Sequence, residues 1–177
     1  MKDYILNSGL KLGALYVLLT AISYIMGVEF SLNESWSIIK GIVPYAFLIF
    51  LVVNYKKMVG GFLNFKDTFT ITIGSIAAGA FIGTFFSILL YNFLAPDFAA
   101  QLKDASVQKM IMEFEKIPES SSMYEMMESI IEQTEEEDVY SVSNQSLAFF
   151  YSLFFHIIIS LIIAAFVKKD KPIEISE

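Results

Sequence analysis

The stretch TFTITIGSIAAGAFIGTFFSILLYNFL, residues 68–94, decides the fold: its 27 residues carry no charge. As a helix rising about 1.5 Å per residue it reaches roughly 40 Å, more than the ~30 Å hydrocarbon core of a bilayer. Within it Ser75, Gly79, Gly83 and Ser87 recur four apart. Such residues advance by about 400° per step, so they form one slowly drifting face that lets a second helix approach closely in a right-handed crossing. This segment is expected to be the centre against which the other spans pack.

Three further apolar stretches lie on either side, over about residues 5–28, 36–55 and 147–167. Each is long enough to cross a membrane. The first carries Gly9 and Gly13, a small-residue pair of the same kind as the stripe. With 177 residues, 55% of them hydrophobic and a mean hydropathy of +0.59, the chain has a membrane composition. The expected fold is all-α: one polytopic membrane domain, residues 1–177, of four transmembrane helices. No small-residue cleavage site follows the first apolar run, so that run is read as a retained span rather than a removed signal peptide.

Between the third and fourth spans, residues 96–146 change character. Twelve carboxylates and three lysines fall between Pro96 and Gln145. Pro96 is expected to stop the long helix and Asp97 to cap a new one. Two amphipathic helices are expected, separated at Pro118. Phe98, Leu102, Ala105, Met110, Phe114 and Ile117 mark the apolar face of the first. Met123, Met126, Met127, Ile130 and Ile131 mark that of the second, which opens on the capping box Ser122-Met123-Tyr124-Glu125. At the third span, Asp67 and Thr68 read as the helix start, and Gly60-Gly61 as a turn before it.

Lysine placement gives an orientation. All twelve basic residues are lysines, and seven of them (Lys2, Lys56, Lys57, Lys66, Lys168, Lys169 and Lys171) fall on the side shared by both termini. The connection between the first two spans has none. The positive-inside rule therefore puts both termini in the cytoplasm and the acidic insertion outside it, in a bacterial inner membrane.

The residues offer few chemical groups of the usual catalytic or metal-binding kinds. The chain has no Cys, a single His and no Arg. That removes disulfides and thiol chemistry, leaves no His pair for zinc, and argues against bidentate phosphate or nucleic-acid recognition. Met110 and Met112 point apart on a helix, and the remaining methionines read as packing rather than as copper ligands. The acidic run has no calcium-loop spacing. No phosphate loop or catalytic triad pattern is present. No cofactor, metal or enzymatic activity is expected. Lys11 and His156 lie within spans and form the candidate intramembrane polar site; Lys11 and Lys40 are otherwise expected to snorkel to the interfaces.

Three short motifs carry a resemblance: Gly60-Gly61 followed by Phe65 and Phe69 before the third span, Ala95-Pro96-Asp97-Phe98 after it, and the lysine-rich stop after the fourth. Together with the layout they resemble the small four-span inner-membrane proteins of Bacteroidota grouped only as a domain of unknown function. That resemblance implies topology and envelope location, and no activity.

The reading that follows is a non-enzymatic scaffold or accessory subunit. It would act through helix packing at Gly9, Gly13, Ser75, Gly79, Gly83 and Ser87, with the lipid bilayer and either a second copy or another membrane protein as partner. The alternative is a small oligomeric transporter or channel with an acidic outer vestibule.

Overall fold

The computed structural model describes residues 1–118 and 122–172. Helix α1 spans Lys2–Met26, and the short α2 spans Val28–Ser31. Helices α3, Glu34–Met58, and α4, Phe65–Leu89, follow. A π-helical turn, Leu90–Leu94, extends α4. The acidic insertion forms α5, Pro96–Phe114, and α6, Ser122–Glu136, before α7, Val142–Val167. Four of these helices are long and apolar enough to cross a membrane: α1, α3, α4 with its π turn, and α7.

Helix α4 is the centre. It packs along α1 and against α7, and α3 leans more sparsely on all three. The α1–α4 seam explains the glycines. A Cβ on Gly9 would lie 2.6 Å from the Cβ of Ala78, and one on Gly13 2.7 Å from that of Ile82. In return, a Cβ on Gly79 would lie 2.5 Å from the Cβ of Leu12, and one on Gly83 2.7 Å from that of Tyr16. The partner numbers rise together, so the two helices run parallel, each seating its side chains in the glycine notches of the other. Close backbone approach of this kind drives helix association where lipid offers no hydrophobic gain.

One end of the bundle is rich in lysine. There Tyr4 donates a 2.6 Å hydrogen bond to the Leu51 carbonyl and packs on Tyr55. Leu63 and Lys169 exchange two backbone hydrogen bonds, of 2.8 and 2.7 Å. Lys169 also stands over the Phe62 ring, 5.0 Å from its centroid. The turn between α3 and α4 uses Gly60 at φ 86° and Gly61 at φ 84°, left-handed conformations that a side chain resists. The start of α1 and the end of α7 both lie toward this end.

The opposite end carries the acidic insertion. Gly27, at φ 93°, ends α1 two residues short of the expected boundary. Ser31 then donates to the Ser23 carbonyl at 2.9 Å, and the Trp36 indole donates to Ser23 Oγ at 2.8 Å, fastening α3 to α1. Helix α5 docks on this corner. Phe98 packs edge-on against Tyr24, with ring centroids 5.1 Å apart. Lys109 donates to the Leu32 carbonyl at 3.0 Å and stands 3.7 Å from Glu34.

Several helix ends differ from expectation, for capping reasons. Helix α4 begins at Phe65, because Asn64 caps it: Asn64 Oδ1 accepts from the Asp67 N–H at 2.8 Å while its amide donates back to the Asp67 carboxylate at 2.9 Å. Helix α7 begins at Val142, capped by Ser141, so its first turn is polar. Asp97 does not cap α5. Ala95 holds that position without a side-chain bond, and Pro96 takes the first helical place. Pro96 also forces Ala95 out of helical geometry, and the Ala95 N–H reaches the Leu90 carbonyl at 2.7 Å, closing the π turn.

The insertion buries narrower faces than its periodicity suggested. In α5 the buried line is Ala99, Leu102 and Val107. Helix α6 packs on α5, with Phe114 and Tyr124 rings 4.4 Å apart, and buries Ile131 while Met123, Met126 and Ile130 stay exposed. A helix with one neighbour can bury only one narrow stripe. The Ser122 side chain, on which the capping box depends, lies outside those described.

Candidate functional site

The sequence-derived candidates separate in space. Gly9, Gly13, Gly79 and Gly83 are consumed by the α1–α4 seam. Ser75 is fully buried beside that seam, and its carbonyl would stand 3.4 Å from a Cβ on Gly9. Ser87 belongs elsewhere, donating a 2.6 Å hydrogen bond to Gln145 Oε1 of α7. Lys11 is exposed on the outer face of α1. His156 points inward, 7% exposed, with its Nδ1 2.8 Å from the Tyr45 hydroxyl of α3. Lys11 and His156 therefore do not form one site.

His156 does sit at the base of a cleft of about 360 Å³ between α1, α4 and α7. Helix α1 contributes Tyr16 and Thr20, α4 contributes Thr84 and Ser87, and α7 contributes Gln145, Ser152 and His156. Gly83 and Ala80 of α4 supply a flat floor. Gln145 is held at both ends: its oxygen accepts from Ser87 and its amide donates to the Tyr140 carbonyl. Ser152 donates to the Phe149 carbonyl at 2.7 Å. Among the described residues, every side chain lining the cleft is uncharged.

The cleft exists because of the packing described above. Helix α4 touches α1 on one side and α7 on the other. The Gly83 notch brings α1 close, but the gap between α1 and α7 stays open. Helix α3 fills it only toward the lysine-rich end, where Pro44, Leu48, Leu51 and Val52 are buried. Lined by hydroxyls, an amide and an imidazole, such a cleft can offer several neutral hydrogen bonds to a ligand and no acid–base pair. Deeper in the bundle, Ser75 and Ser160 bury their hydroxyls without a hydrogen-bond partner among the described residues.

The sequence carried a signal for this site. Gln145, Ser152, His156 and Ser160 recur on one face of a helix that is mostly apolar beyond its first turns. Tyr16 and Thr20 also stand four apart on α1, but nothing in the sequence links them to Thr84, and the Tyr45–His156 pairing joins residues 111 apart in sequence.

Tyr140, just before α7, closes the acidic end. Its ring packs on Tyr91 at 4.9 Å and its carbonyl accepts from Asn92 at 2.9 Å. Burial, reinforced by the neighbouring Tyr91, pushes its phenol up to about 12. On the surface, the Lys116 ammonium 2.7 Å from Glu113 holds that carboxyl below its ordinary value.

These features define a helical integral membrane protein of four spans, with a polar cleft between three of them. The chain belongs to the family described as "Protein of unknown function (DUF4199)", whose sequence model matches residues 7–169. No curated protein and no solved structure matches it.

Proposed function

We propose that this protein is a non-enzymatic ligand-binding protein of the bacterial inner membrane, of the small transporter class, with its site in the α1–α4–α7 cleft. One observation carries the reading: seven polar, uncharged side chains from three spans converge on one cavity within the membrane-spanning bundle. Polar groups are costly in a bilayer, and those that face a bundle interior line the substrate and ion paths of transport proteins. In this reading the termini are cytoplasmic, as the lysine distribution supports, and the cleft opens in the outer half of the bundle.

Native mass spectrometry of the full chain, released from mild detergent, tests this. A discrete small-molecule adduct is expected, and Thr84→Phe and Ser152→Phe, which fill the cleft, should remove it. A wild type without adduct, or variants that keep it at equal occupancy, would count against the reading.

A second reading keeps the accessory-subunit role but moves its contact surface. The small-residue faces are occupied within the chain, so recruitment through them has no free face. The outer helical pair remains, and Met126 and Ile130 of α6 stand 55% and 40% exposed there. Photocrosslinking from position 126 in native membranes separates this reading from the first by yielding, or failing to yield, a defined foreign protein.

A further inference from the structure

Lys40 is the charged residue that the neutral cleft leaves unexplained. It lies on the inward face of α3. Four residues before it, Trp36 reaches Ser23 of α1; four residues after it, Pro44 is buried. Residues at that spacing share a helix face. Lys40 is half-buried, whereas Lys11 on the lipid side of α1 is exposed. No hydrogen bond or ion pair to Lys40 occurs among the described residues, and Glu34, six residues earlier on α3, is turned to Lys109.

The level of Lys40 follows from its neighbours. Trp36 is beside Ser23 of α1, just beyond Thr20, and Tyr45 is beside His156 of α7. Lys40 lies between these two contacts. The cleft walls run over the same interval, from Thr20 to Tyr16 on α1 and from Gln145 to His156 on α7. Lys40 therefore stands at the height of the cleft, on the helix whose Tyr45 reaches the cleft's His156. A half-buried cation at membrane depth is costly unless a counter-charge meets it, and the lining side chains of the cleft provide none.

Ile38 and Ile42, two residues to either side of Lys40, are about 60% exposed on the outer surface of α3. An apolar crevice of about 270 Å³, lined by Phe81, Phe85, Ile88 and Phe150, shares Thr84 and Phe149 with the polar cleft. Polar groups, one cation and an adjoining apolar crevice together match an amphiphile.

Resting on the reading of the cleft as a ligand site, we propose that the ligand is an acyl-chain amphiphile with an anionic headgroup, whose carboxylate or phosphate is held by Lys40 and the cleft hydroxyls. The chain stays in lipid and along the apolar crevice. The headgroup gains a charge-assisted hydrogen bond from the amine and neutral ones from the cleft.

The test uses the full chain in phosphatidylcholine nanodiscs with three photoreactive probes: a diazirine fatty acid, its methyl ester, and a diazirine phosphatidylglycerol. Labelled peptides are mapped by mass spectrometry. Expected is labelling of cleft peptides by the fatty acid, the phosphatidylglycerol or both, which identifies the source. The methyl ester should label about tenfold less. Lys40→Gln should lower anionic labelling by a similar factor and Lys40→Arg should retain it. Equal labelling by ester and acid in the wild type overturns the anionic headgroup while leaving the cleft as a ligand site; that comparison needs no variant to fold. No labelling of cleft peptides by any probe overturns both the headgroup and the cleft reading.

Discussion

Leu12 of α1 and Gly79 of α4 interlock so closely that a Cβ on the glycine would lie 2.5 Å from the Cβ of the leucine. Real Cβ atoms do not approach that near, so any side chain there must push the two helices apart. Gly79→Ala is expected to cost about 1–3 kcal/mol by overpacking, and Gly79→Leu to prevent assembly of the α1–α4 pair. Gly41→Ala is the matched control, since nothing stands within 4 Å of its Cβ position. It should stabilise slightly, by up to about 1 kcal/mol, because alanine is the better helix former. Reversible unfolding of the three variants in mixed micelles checks the ordering. A Gly79→Ala protein as stable as Gly41→Ala would contradict the seam.

The Tyr45 hydroxyl and His156 Nδ1, 2.8 Å apart, give a second prediction. Among the described residues, this and the Lys56 amine on the Val167 carbonyl are the polar side-chain links between α3 and α7. Interhelical hydrogen bonds in membranes average only about 0.6 kcal/mol, because partners are found in the unfolded state too. A double-mutant cycle of Tyr45→Phe and His156→Phe should therefore return a coupling near that value. A coupling indistinguishable from zero would show that the two groups are neighbours without a bond.

Much of this architecture is written in local pattern and some of it is not. The stripe Ser75/Gly79/Gly83 and the pair Gly9/Gly13 are legible because small residues four apart must share a face, and the chain offers one obvious match between them. Ser87 continues the spacing yet bonds to Gln145, since the drifting stripe has by then turned toward α7. Helix starts at Phe65 and Val142 escape a hydropathy reading, because the capped first turns are polar and a search for uncharged runs skips them. Lys40 illustrates the harder limit. Its nearness to the helix start suggests snorkelling, and only the contacts of Trp36 and Pro44 show which way its face is turned. The cleft depends on where three helices fail to touch, which no single segment encodes.

Tyr140 supplies a pH prediction outside the membrane. Its phenol is raised from 10.0 to about 12, chiefly by burial. Above pH 10 the unfolded state ionises this group and the folded state does not, so the unfolded state binds fewer protons and stability falls as pH rises. The loss should run from about pH 10 to 12 and be absent below it. Tyr140→Phe should lessen the fall in stability over that window and remove a tyrosinate component near pH 12 from an ultraviolet titration. An unchanged slope in the variant would place the alkaline loss on another residue.

The chain lacks cysteine, which makes its orientation directly measurable. Gln133 on α6 and Lys57 at the end of α3 lie at opposite ends of the bundle, one in the acidic insertion and one in the lysine-rich cluster. Lys57 faces solvent beside the Gly60-Gly61 turn, and Gln133 is exposed. Neither position is used by the packing between spans. In intact spheroplasts, a membrane-impermeant maleimide should label Gln133→Cys fully and Lys57→Cys only after permeabilisation. This outcome follows if seven lysines at one end hold it in the cytoplasm. The reverse pattern would turn the cleft toward the cytoplasm, and the anionic amphiphile proposed for Lys40 would then be drawn from the inner leaflet. Equal labelling of both positions without permeabilisation would mean that the spheroplasts leak, which a cytoplasmic marker protein carrying an exposed thiol reports in the same sample.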